Sequence, residues 1–504
     1  MLISGERTLD RAELVSLGGR AASGLISAGV KAGDAVALIL RNDFPYFVMH
    51  EAARYGPFDM VPVNWHLNAA EIGYILEDCD ARAVVIHEDL LQQELLPFIE
   101  DLTVIVVPTP VEIEQAYGRK NTGDAGAISF LPWKNWLQGC SRHEEPVLPF
   151  YPPLFYTSGS SGNPKAVIRD KLSADEAQKI GQRTAFAWGF DKKVSCSVMT
   201  GPLYHSAPNG YANMVLQAGA TLVLQARFDA EQLLQYIEQF KVSHLHMVPT
   251  MFVRLLALAA EVKEKYDLSS LVHVSHGAAP CPPDVKQQLI EWWGNVIYEY
   301  YAMTETGIIT CCDSKQWLAH PGSVGCAAPG VSLEIRDKEG NPCKAGETGT
   351  ICARHESTGH VNYRRQDRGN GELVQKGYLV TGDIGYLDED GFLYISDRES
   401  DMVISGGVNV YPVEVEKVLI NYKGVNDCCV LGVPDAEFGE KLVAFIEADD
   451  ELEDGEIRSY LEDKIAAFKI PRVIQKVSKL PREDSGKIKK KKLKEAFIQQ
   501  HKGA

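Results

Sequence analysis

Apolar segments of strand length alternate with amphipathic segments of helix length from the start of the chain to Tyr301. AVALIL (35–40) and TVIVV (103–107) are typical of buried strands, whereas DAEQLLQYIEQFK (229–241) has the spacing of an amphipathic helix. Such alternation is typical of parallel strands joined by crossover helices. It predicts an α/β fold with two α/β subdomains, one on each side of a Ser- and Gly-rich segment at Thr157–Lys165.

The pattern changes after Ser323. VSLEIRD (331–337) and GFLYISDR (391–398) are short strand-like segments separated by turns, which predicts a small β-barrel or antiparallel sheet. Beyond residue 398 the helix and strand signals return, so we expect a separate, small α+β domain. The predicted organisation is an N-terminal domain over residues 1–398, a polar hinge over 399–401 and a C-terminal domain over 402–504.

The first 150 residues contain two helix signals and one long stretch without a clear pattern. Residues 8–28 have helical apolar spacing, and Asn68 followed by Glu71 predicts a capping box at a helix start. Residues 109–150 show no clear periodicity, so we expect them on the surface.

The composition narrows the class of protein. The 504 residues carry a formal net charge of −17, which argues against nucleic acid as a partner but not against local phosphate sites. Charged residues in the first fifteen positions exclude a secretory signal, and no apolar run approaches the ~20 residues of a membrane-spanning helix. The eleven cysteines form no CxxC pair, which is typical of reduced thiols. We expect a cytoplasmic protein without a transmembrane segment; its oligomeric state stays open, a homodimer included.

Thr157–Lys165 reads TSGSSGNPK, and five of its nine residues are Ser or Gly. Small residues let backbone N–H groups face an anion, Ser hydroxyls add donors and Lys165 adds a positive charge. The spacing differs from that of the common GxxxxGK(S/T) phosphate loop, because Pro164 precedes the lysine. The segment predicts a phosphate cradle, with a flexible surface loop as the alternative.

Five motifs, in order along the chain, resemble those of the adenylate-forming superfamily, which includes acyl-CoA synthetases, luciferases and peptide-synthetase adenylation domains. They are TSGSSGNPK (157–165), YYAMTETG (300–307), TGDIGYLDEDGFLYISDR (381–398), SGGVNVYPVEVE (405–416) and PREDSGKIKKKKL (481–493). The stretch DRESDMVISGGVNVYP (397–412) is most similar to fatty-acyl-type carboxylate:CoA ligases.

The resemblance implies two half-reactions on a large N-terminal domain with a mobile small C-terminal domain. A carboxylate attacks the α-phosphate of ATP to give acyl-AMP and pyrophosphate, and the thiol of coenzyme A then displaces AMP. ATP, Mg²⁺ and coenzyme A as co-substrate are therefore expected.

The resemblance also implies roles for single residues. Those implied to bind ATP or AMP are Thr157, Ser158, Gly159, Ser160, Ser161, Gly162, Lys165, Gly277, Ala278, Ala279, Pro280, Tyr300, Tyr301, Thr304, Asp383 and Arg398. Those implied to be catalytic are Lys487, Thr304, Glu305 and Lys165, with Glu305 also the Mg²⁺ ligand. Gly406 and Gly407 are implied to contact coenzyme A. His205 and Ala302 are implied to gate or shape the acyl pocket, and Ser400 is implied to form the hinge.

Other polar residues are expected to play structural parts. His244 and His246 alternate on a predicted strand without a third ligand, so we interpret them as packing residues. The lysines after Lys487 are interpreted as a solvated basic face, with contact to coenzyme A phosphates as the alternative.

Three features depart from the family pattern. The chain starts at MLISGERTLDRAEL, so the leading helix and first strand are expected to be shortened or missing. Ala302 replaces the usual glycine, and its methyl group is expected to project toward the acyl pocket. Ser400 stands at the hinge where many relatives have Asp or Lys, although some fatty-acyl-type relatives share the serine.

Together these features predict an ATP-dependent carboxylic acid:CoA ligase that acts on a fatty acid or on a bulky alicyclic or steroid-like acid. One alternative is an acyl-AMP-forming ligase that delivers to another acceptor. The other, from a different class, is a non-catalytic nucleotide-binding sensor.

Overall fold

The computed structural model describes residues 1–56, 58–118, 130–144, 152–157, 164–169, 173–356, 361–363, 374–375, 377–398, 401–405, 408–435, 439–448, 452–484 and 486–501. Several predicted site residues lie outside these ranges, namely Ser158, Gly159, Ser160, Ser161, Gly162, Ser400, Gly406 and Gly407. Arg398 is described through its backbone.

A central sheet forms the middle of the N-terminal domain. Among the described residues its strands are, in spatial order, Cys326–Ala327, Gly307–Cys312, Ile297–Met303, His273–His276, His244–Met247, Cys196–Met199, Thr221–Leu224, Leu2–Ser4 and Arg7–Leu9. The strands in the middle of the sheet run parallel and are mostly buried, as the continuous apolar runs predict.

The start of the chain corrects one expectation. Leu2–Ser4 pairs parallel with Thr221–Leu224 and antiparallel with Arg7–Leu9, so the first residues complete one edge of the central sheet. The helix expected from residue 8 begins at Arg11, because Arg7–Leu9 is a strand and Asp10 caps the helix by accepting from the Glu13 N–H. The two predicted subdomains are therefore interleaved.

A second, parallel sheet builds the other α/β subdomain. Its strands are, in spatial order, Asp59–Pro62, Ala35–Ile39, Ala81–His87, Thr103–Val107 and Leu131–Pro132. The helices of this part are Arg11–Ser27, Phe44–Ala52, Ala69–Asp78, Leu96–Ile99, Val111–Tyr117 and Trp133–Gly139. The predicted capping box is confirmed, since Asn68 and Glu71 exchange side-chain to backbone hydrogen bonds of 2.9 Å.

Most of the described residues in the range 109–150 are exposed or half-buried, as expected, but a few are buried. Two helices form there, Val111–Tyr117 and Trp133–Gly139, and the second buries Trp136 and Leu137. A Cβ built on Gly24 would lie 2.6 Å from the Trp136 ring, so this glycine makes room for the indole. Short helices separated by residues without periodicity hid this packing from the sequence.

The central sheet is flanked by further helices, namely Ala174–Trp188, Ser206–Gln217, Ala230–Phe240, Pro249–Leu256, Ala260–Lys265, Pro283–Trp293 and Ser314–Ala319. The predicted small β-structure consists of Val331–Arg336, Gly349–His355, Tyr378–Leu387, Val374–Gln375 and Leu393–Arg398, all paired antiparallel. A separate three-stranded sheet contains Val361–Tyr363, Lys165–Arg169 and Tyr156–Thr157.

The C-terminal part of the chain, described between residues 402 and 501, has its own sheet and core. Its strands are Val408–Val410, Val403–Ser405, Gly439–Ala448, Val425–Asp435 and Val473–Val477, and its helices are Pro412–Leu419, Asp454–Glu462 and Lys490–Gln500. The predicted α/β class with a small α+β C-terminal domain is confirmed. Within the described ranges, no helix combines the length and apolarity needed to cross a membrane.

Candidate active site

A cleft of about 3500 Å³ lies where the parallel strands of the central sheet end and the C-terminal domain begins to cover them. Crevices at the carboxyl ends of parallel strands are the usual ligand sites of α/β sheets. The predicted site residues that line this cleft are Thr157, Lys165, His205, Ala278, Ala279, Pro280, Tyr300, Tyr301, Ala302, Thr304, Glu305, Asp383 and Lys487. Residues far apart in the sequence thus meet at one site.

The turn after the strand His273–His276 forms one wall of the cleft. Ala278 has φ of +68°, a left-handed conformation that is uncommon for a residue with a Cβ. Gly277 lies behind this wall, because a Cβ built on it would be 2.7 Å from the Tyr300 carbonyl oxygen. Gly277 therefore packs against the neighbouring backbone, whereas Ala278 lines the cleft.

Tyr301 and Asp383 are joined by a short hydrogen bond. The Tyr301 hydroxyl donates to Asp383 Oδ2 at 2.5 Å, and the carboxylate is almost fully buried. The backbone N–H of Asp383 donates to Thr381 Oγ1, whose hydroxyl in turn donates to the Ile351 carbonyl oxygen. The strand register pairs Asp383 with Arg398, so both predicted nucleotide contacts come from adjacent strands.

Thr304 and Glu305 occupy the turn between two antiparallel strands of the central sheet. Thr304 Oγ1 lies 3.3 Å from Ser206 Oγ, so two hydroxyls meet at the start of the helix Ser206–Gln217. Glu305 is 8% exposed. A carboxylate beside hydroxyl groups is an all-oxygen set, which suits Mg²⁺ when substrate phosphates supply the remaining ligands. The described residues contain no group of three or more His, Cys, Asp or Glu residues arranged around a metal.

His205 is a half-buried imidazole at the junction of the two domains. Burial, followed by the charge of Lys487, lowers the pKa of His205 from its ordinary value to about 3. Its ring packs against Tyr204 with ring centres 4.6 Å apart. Nε2 of His205 is buried and has no hydrogen-bond partner among the residues that the structure describes.

A tight turn carries Lys487 into the cleft. The Glu483 N–H donates to the Lys487 carbonyl oxygen and the Gly486 N–H donates to the Glu483 carbonyl oxygen, both at 2.9 Å. Gly486 has φ of +82°, and a Cβ there would collide with Thr250 of the N-terminal domain. Arg482 clamps the turn to its own domain through two 2.6 Å contacts with Asp427.

The next lysines do not all face solvent as expected. Lys490 Nζ lies 2.9 Å from Asp401 Oδ2, beside the predicted hinge. Burial alone would lower the pKa of Lys490, but the charges of Glu416 and Asp401 raise it above its ordinary value. Lys490 therefore forms an ion pair with the last residue of the predicted hinge.

Asp484 connects the two domains. Its Oδ2 accepts a 2.9 Å hydrogen bond from the Tyr117 hydroxyl and lies 3.2 Å from His66 Nε2. Burial would raise the pKa of Asp484, but the contacts with His66 and Tyr117 and the charge of Arg227 bring it below its ordinary value. We call Asp484, His66 and Tyr117 the interdomain latch.

Within the N-terminal domain, Tyr117 of the interdomain latch packs against an ion-paired arginine. The guanidinium of Arg41 stacks 3.8 Å from the Tyr117 ring centre and 4.3 Å from that of Trp65. Arg41 is itself paired with the buried Asp89 at 2.6 Å. No sequence motif indicates the latch, because His66 and Tyr117 lie outside every motif and Asp484 lies inside PREDSGK without a role of its own.

A groove leaves the cleft between two helices. It is lined on the helix Ala174–Trp188 by Ala177, Ile180, Gly181, Thr184 and Trp188, and on the helix Ser206–Gln217 by Gly210, Asn213, Met214 and Gln217. We call this set the helical groove. The twelve residues from Ala177 to Trp188 span about 16 Å at a rise of 1.5 Å per residue. A Cβ at Gly181 would meet no atom within 4 Å, so the groove is open there.

Aromatic rings close the inner end of the helical groove. Trp188 packs at ring-centre distances of 5.8 Å from Tyr211 and from His246, and His246 Nε2 lies 2.6 Å from the Tyr300 hydroxyl. Burial lowers the pKa of His246 to about 4. His244 is also buried, with its ring nitrogens 2.9 Å from Ser243 Oγ and 3.0 Å from the Gly189 carbonyl oxygen. Both histidines therefore occupy the packing positions expected of them.

Comparison with known proteins gives the family. A family model described as AMP-binding enzyme matches residues 1–360, and one described as AMP-binding enzyme C-terminal domain matches residues 414–487. The chain belongs to the AMP-binding enzyme family. Its resemblance to adenylate-forming enzymes is thereby confirmed, as are the class of AMP-forming acid–thiol ligases and the use of ATP, Mg²⁺ and coenzyme A.

Relatives span nearly the whole chain. A fatty acid–acyl-carrier-protein ligase of Streptomyces coeruleorubidus is 29% identical over 97% of this chain and 92% of its own length. A feruloyl-CoA synthase of an Amycolatopsis species is 30% identical over 98% of this chain and 95% of its own length. The solved structure of o-succinylbenzoate CoA synthetase from Bacillus subtilis, in complex with its acyl-adenylate intermediate, gives a TM-score of 0.81 at 25% identity and covers 98% of this chain and 94% of that one.

Proposed function

We propose that this protein joins a fatty acid, or a bulky alicyclic or steroid-like acid, to coenzyme A by way of an acyl-adenylate. The observation that carries the proposal is that Lys487 of the C-terminal domain lines the same cleft as Thr304, Glu305 and Asp383 of the N-terminal domain. A cation, a metal-binding carboxylate and a ribose-binding carboxylate are then positioned around one nucleotide.

In the first half-reaction, a carboxylate oxygen of the acid forms a bond to the α-phosphorus of ATP, and the bond to pyrophosphate breaks. Two anions must approach each other, so a fixed cation at Lys487 lowers the barrier by offsetting their repulsion. Lys165 and the loop before it hold the departing phosphates, and Thr304 donates its hydroxyl near the α-phosphate. Glu305 holds Mg²⁺, which neutralises phosphate charge when bound.

In the second half-reaction, the sulfur of coenzyme A bonds to the acyl carbon, the thiol proton is lost, and AMP leaves with the electron pair of the broken C–O bond. We place the domain boundary at residues 399–401, with 1–398 and 402–504 as the two moving parts and Ser400 as the hinge. Rotation there withdraws Lys487 and brings Gly406 and Gly407 to the thiol path.

The positions of the other predicted residues in the cleft support a set of contacts with the nucleotide. Asp383 accepts from the ribose hydroxyls, and its bond to Tyr301 holds that ring in place for stacking on adenine. Ala278, Ala279 and Pro280 form the wall along which the adenine edge lies. His205 stays neutral and gates the passage between nucleotide, acid and thiol.

The helical groove supports the class of acid. It extends about 16 Å along one helix, and Gly181, Gly210 and Ala177 leave its walls low. An elongated apolar acid fits such a groove, with its carboxylate toward Thr304. The similarity to a fatty acid–acyl-carrier-protein ligase is consistent with this class, and it also favours a second candidate in which the acceptor thiol is that of a carrier protein.

Isotope exchange between pyrophosphate and ATP tests the first half-reaction, with acids of different length and width supplied one at a time. The proposal predicts exchange that depends on the acid, and AMP release that depends on coenzyme A. Exchange followed by AMP release with a carrier protein but not with coenzyme A would favour the second candidate. A protein that binds ATP but supports no exchange with any acid would contradict both.

A further inference from the structure

Asn213 lies on the wall of the helical groove, one turn beyond Asn209 on the same helix. Its amide nitrogen donates to the Asn209 carbonyl oxygen at 2.9 Å and to Asn209 Oδ1 at 3.1 Å. It also lies 3.4 Å from Nδ1 of the buried His50. Both Asn209 atoms are acceptors, so Nδ2 of Asn213 must face them.

The side-chain amide of Asn209 cannot flip, because its nitrogen donates hydrogen bonds to other groups. Its Nδ2 donates to the Leu203 carbonyl oxygen at 3.0 Å and to the Tyr46 hydroxyl at 2.9 Å. The Tyr46 hydroxyl donates its own proton to Leu203 at 2.7 Å. The donor directions among Tyr46, Asn209 and Asn213 are therefore fixed, and with them the orientation of the Asn213 amide.

The remaining polar atom of the Asn213 side chain is Oδ1. It accepts no hydrogen bond from any residue that the structure describes. Gly210 and Met214 flank it on the same helix, and the amide of Gln217, one turn further along, is on an exposed residue. An oriented acceptor in such a wall favours a ligand that brings a donor to it, since an unpaired polar atom in a filled groove is unfavourable.

We propose that Asn213 selects acids that carry a hydroxyl group on their apolar body. This inference rests on the function proposed above. Asn213 lies seven residues beyond Ser206, whose hydroxyl neighbours Thr304, so the recognised hydroxyl is about 10 Å along the helix from the reacting end. A hydroxyl fits better than an ammonium group, because none of the residues that define the helical groove is acidic. The substrate is thus an elongated, hydroxylated apolar acid.

The test uses pairs of acids with the same skeleton, one with and one without a hydroxyl in the distal half at about 10 Å from the carboxyl group, such as 10-hydroxystearic and stearic acid. The readout is kcat/KM for acid-dependent pyrophosphate release by the full-length protein. The wild-type protein is expected to favour the hydroxylated member by about 10- to 100-fold. Asn213→Leu should bring the ratio close to one.

Thr184→Val is the matched control. Thr184 also lines the helical groove, but its hydroxyl already donates to the Ile180 carbonyl oxygen at 2.9 Å, so its loss should leave the ratio unchanged. A wild-type ratio near one for hydroxyls at every distal position would overturn the inference while leaving the proposed function intact. This measurement uses only the wild-type protein, so it does not depend on whether a variant folds. Absence of release with every acid would overturn the proposed function and this inference with it.

Discussion

The Tyr117 hydroxyl donates a 2.9 Å hydrogen bond to Asp484 across 367 residues of sequence. Asp484 lies three positions before Lys487, so this bond and the nearby His66 hold the lysine turn against the N-terminal domain. The conformation in the structure is therefore one in which Lys487 lines the cleft with Thr304 and Asp383.

The first prediction concerns the interdomain latch. Asp484→Asn removes the charge that holds Tyr117 and His66, and a hydrogen bond to a charged group is worth about 1.5–3 kcal/mol. We expect acyl-adenylate formation to slow by about 10- to 100-fold, with thioester formation from presynthesised acyl-AMP unchanged. Single-turnover kinetics of each half-reaction measures both. Asp454→Asn, at an exposed carboxylate of the same domain, is the control and should change neither rate.

The second prediction concerns the width of the pocket near the carboxylate. Ala302 lines the cleft where the family usually has glycine, so Ala302→Gly should admit acids that are wider beside the carboxyl group. One methylene-sized change is worth about 1–3 kcal/mol, or about 10- to 200-fold in kcat/KM ratios between branched and linear acids. If a panel of acids shows the same ratios before and after the change, Ala302 does not shape the pocket.

The third prediction concerns stability at mildly acidic pH. Burial, followed by the charges of Lys192 and His244, lowers the pKa of His273 from its ordinary value to about 3. The unfolded chain therefore binds a proton below about pH 6.5 that the folded chain does not bind until about pH 3. The stability conferred by the neutral imidazole is present above about pH 6.5 and is lost as the pH falls toward 3, at about 1.4 kcal/mol per pH unit.

His273→Phe should keep the ring stack on Tyr298, whose ring centre is 3.8 Å away, and remove the titration. Urea unfolding between about pH 7 and about pH 5 should then show a pH slope smaller by about one proton than that of the wild-type protein. Equal slopes would mean that His273 takes up its proton in the folded state at the ordinary pH.

The fourth prediction concerns the thiol path. Gly407 lies outside the described residues, and its role rests on the family motif SGGVNVYP. Gly407→Leu should obstruct coenzyme A and slow thioester formation while acyl-adenylate formation stays near normal. Single-turnover assays separate the two steps. Equal losses in both would show that the loop serves the fold and not the thiol.

Much of the fold and of the nucleotide site could be predicted from the sequence. The parallel strands were visible as continuous apolar runs, because both of their faces are covered. Thr304 follows the strand Ile297–Met303, Asp383 lies within the strand Tyr378–Leu387 and Lys487 lies on the turn before the helix Lys490–Gln500, and all three line one cleft. Fixed spacing within each motif made these positions readable without tertiary information.

The rest depends on contacts that no local pattern records. Residues 2–9 join the central sheet only because Thr221–Leu224 offers a free edge, a fact of tertiary structure. Trp136 is buried by the absence of a side chain at Gly24, more than a hundred residues earlier. The interdomain latch and the acceptor on Asn213 are likewise set by which residues the folded chain brings together.

Lys487→Ala in single-turnover kinetics of the two half-reactions tests the central claim most directly. Lys487 should matter only while ATP and the carboxylate react, and removal of one such group often lowers the rate by ~10²–10³. Acyl-adenylate formation should fall by at least that much, whereas the same variant given presynthesised acyl-AMP should still transfer the acyl group to coenzyme A at close to the normal rate. A variant that folds normally by circular dichroism and melting, yet is crippled in both steps, would contradict the alternation of the two domains.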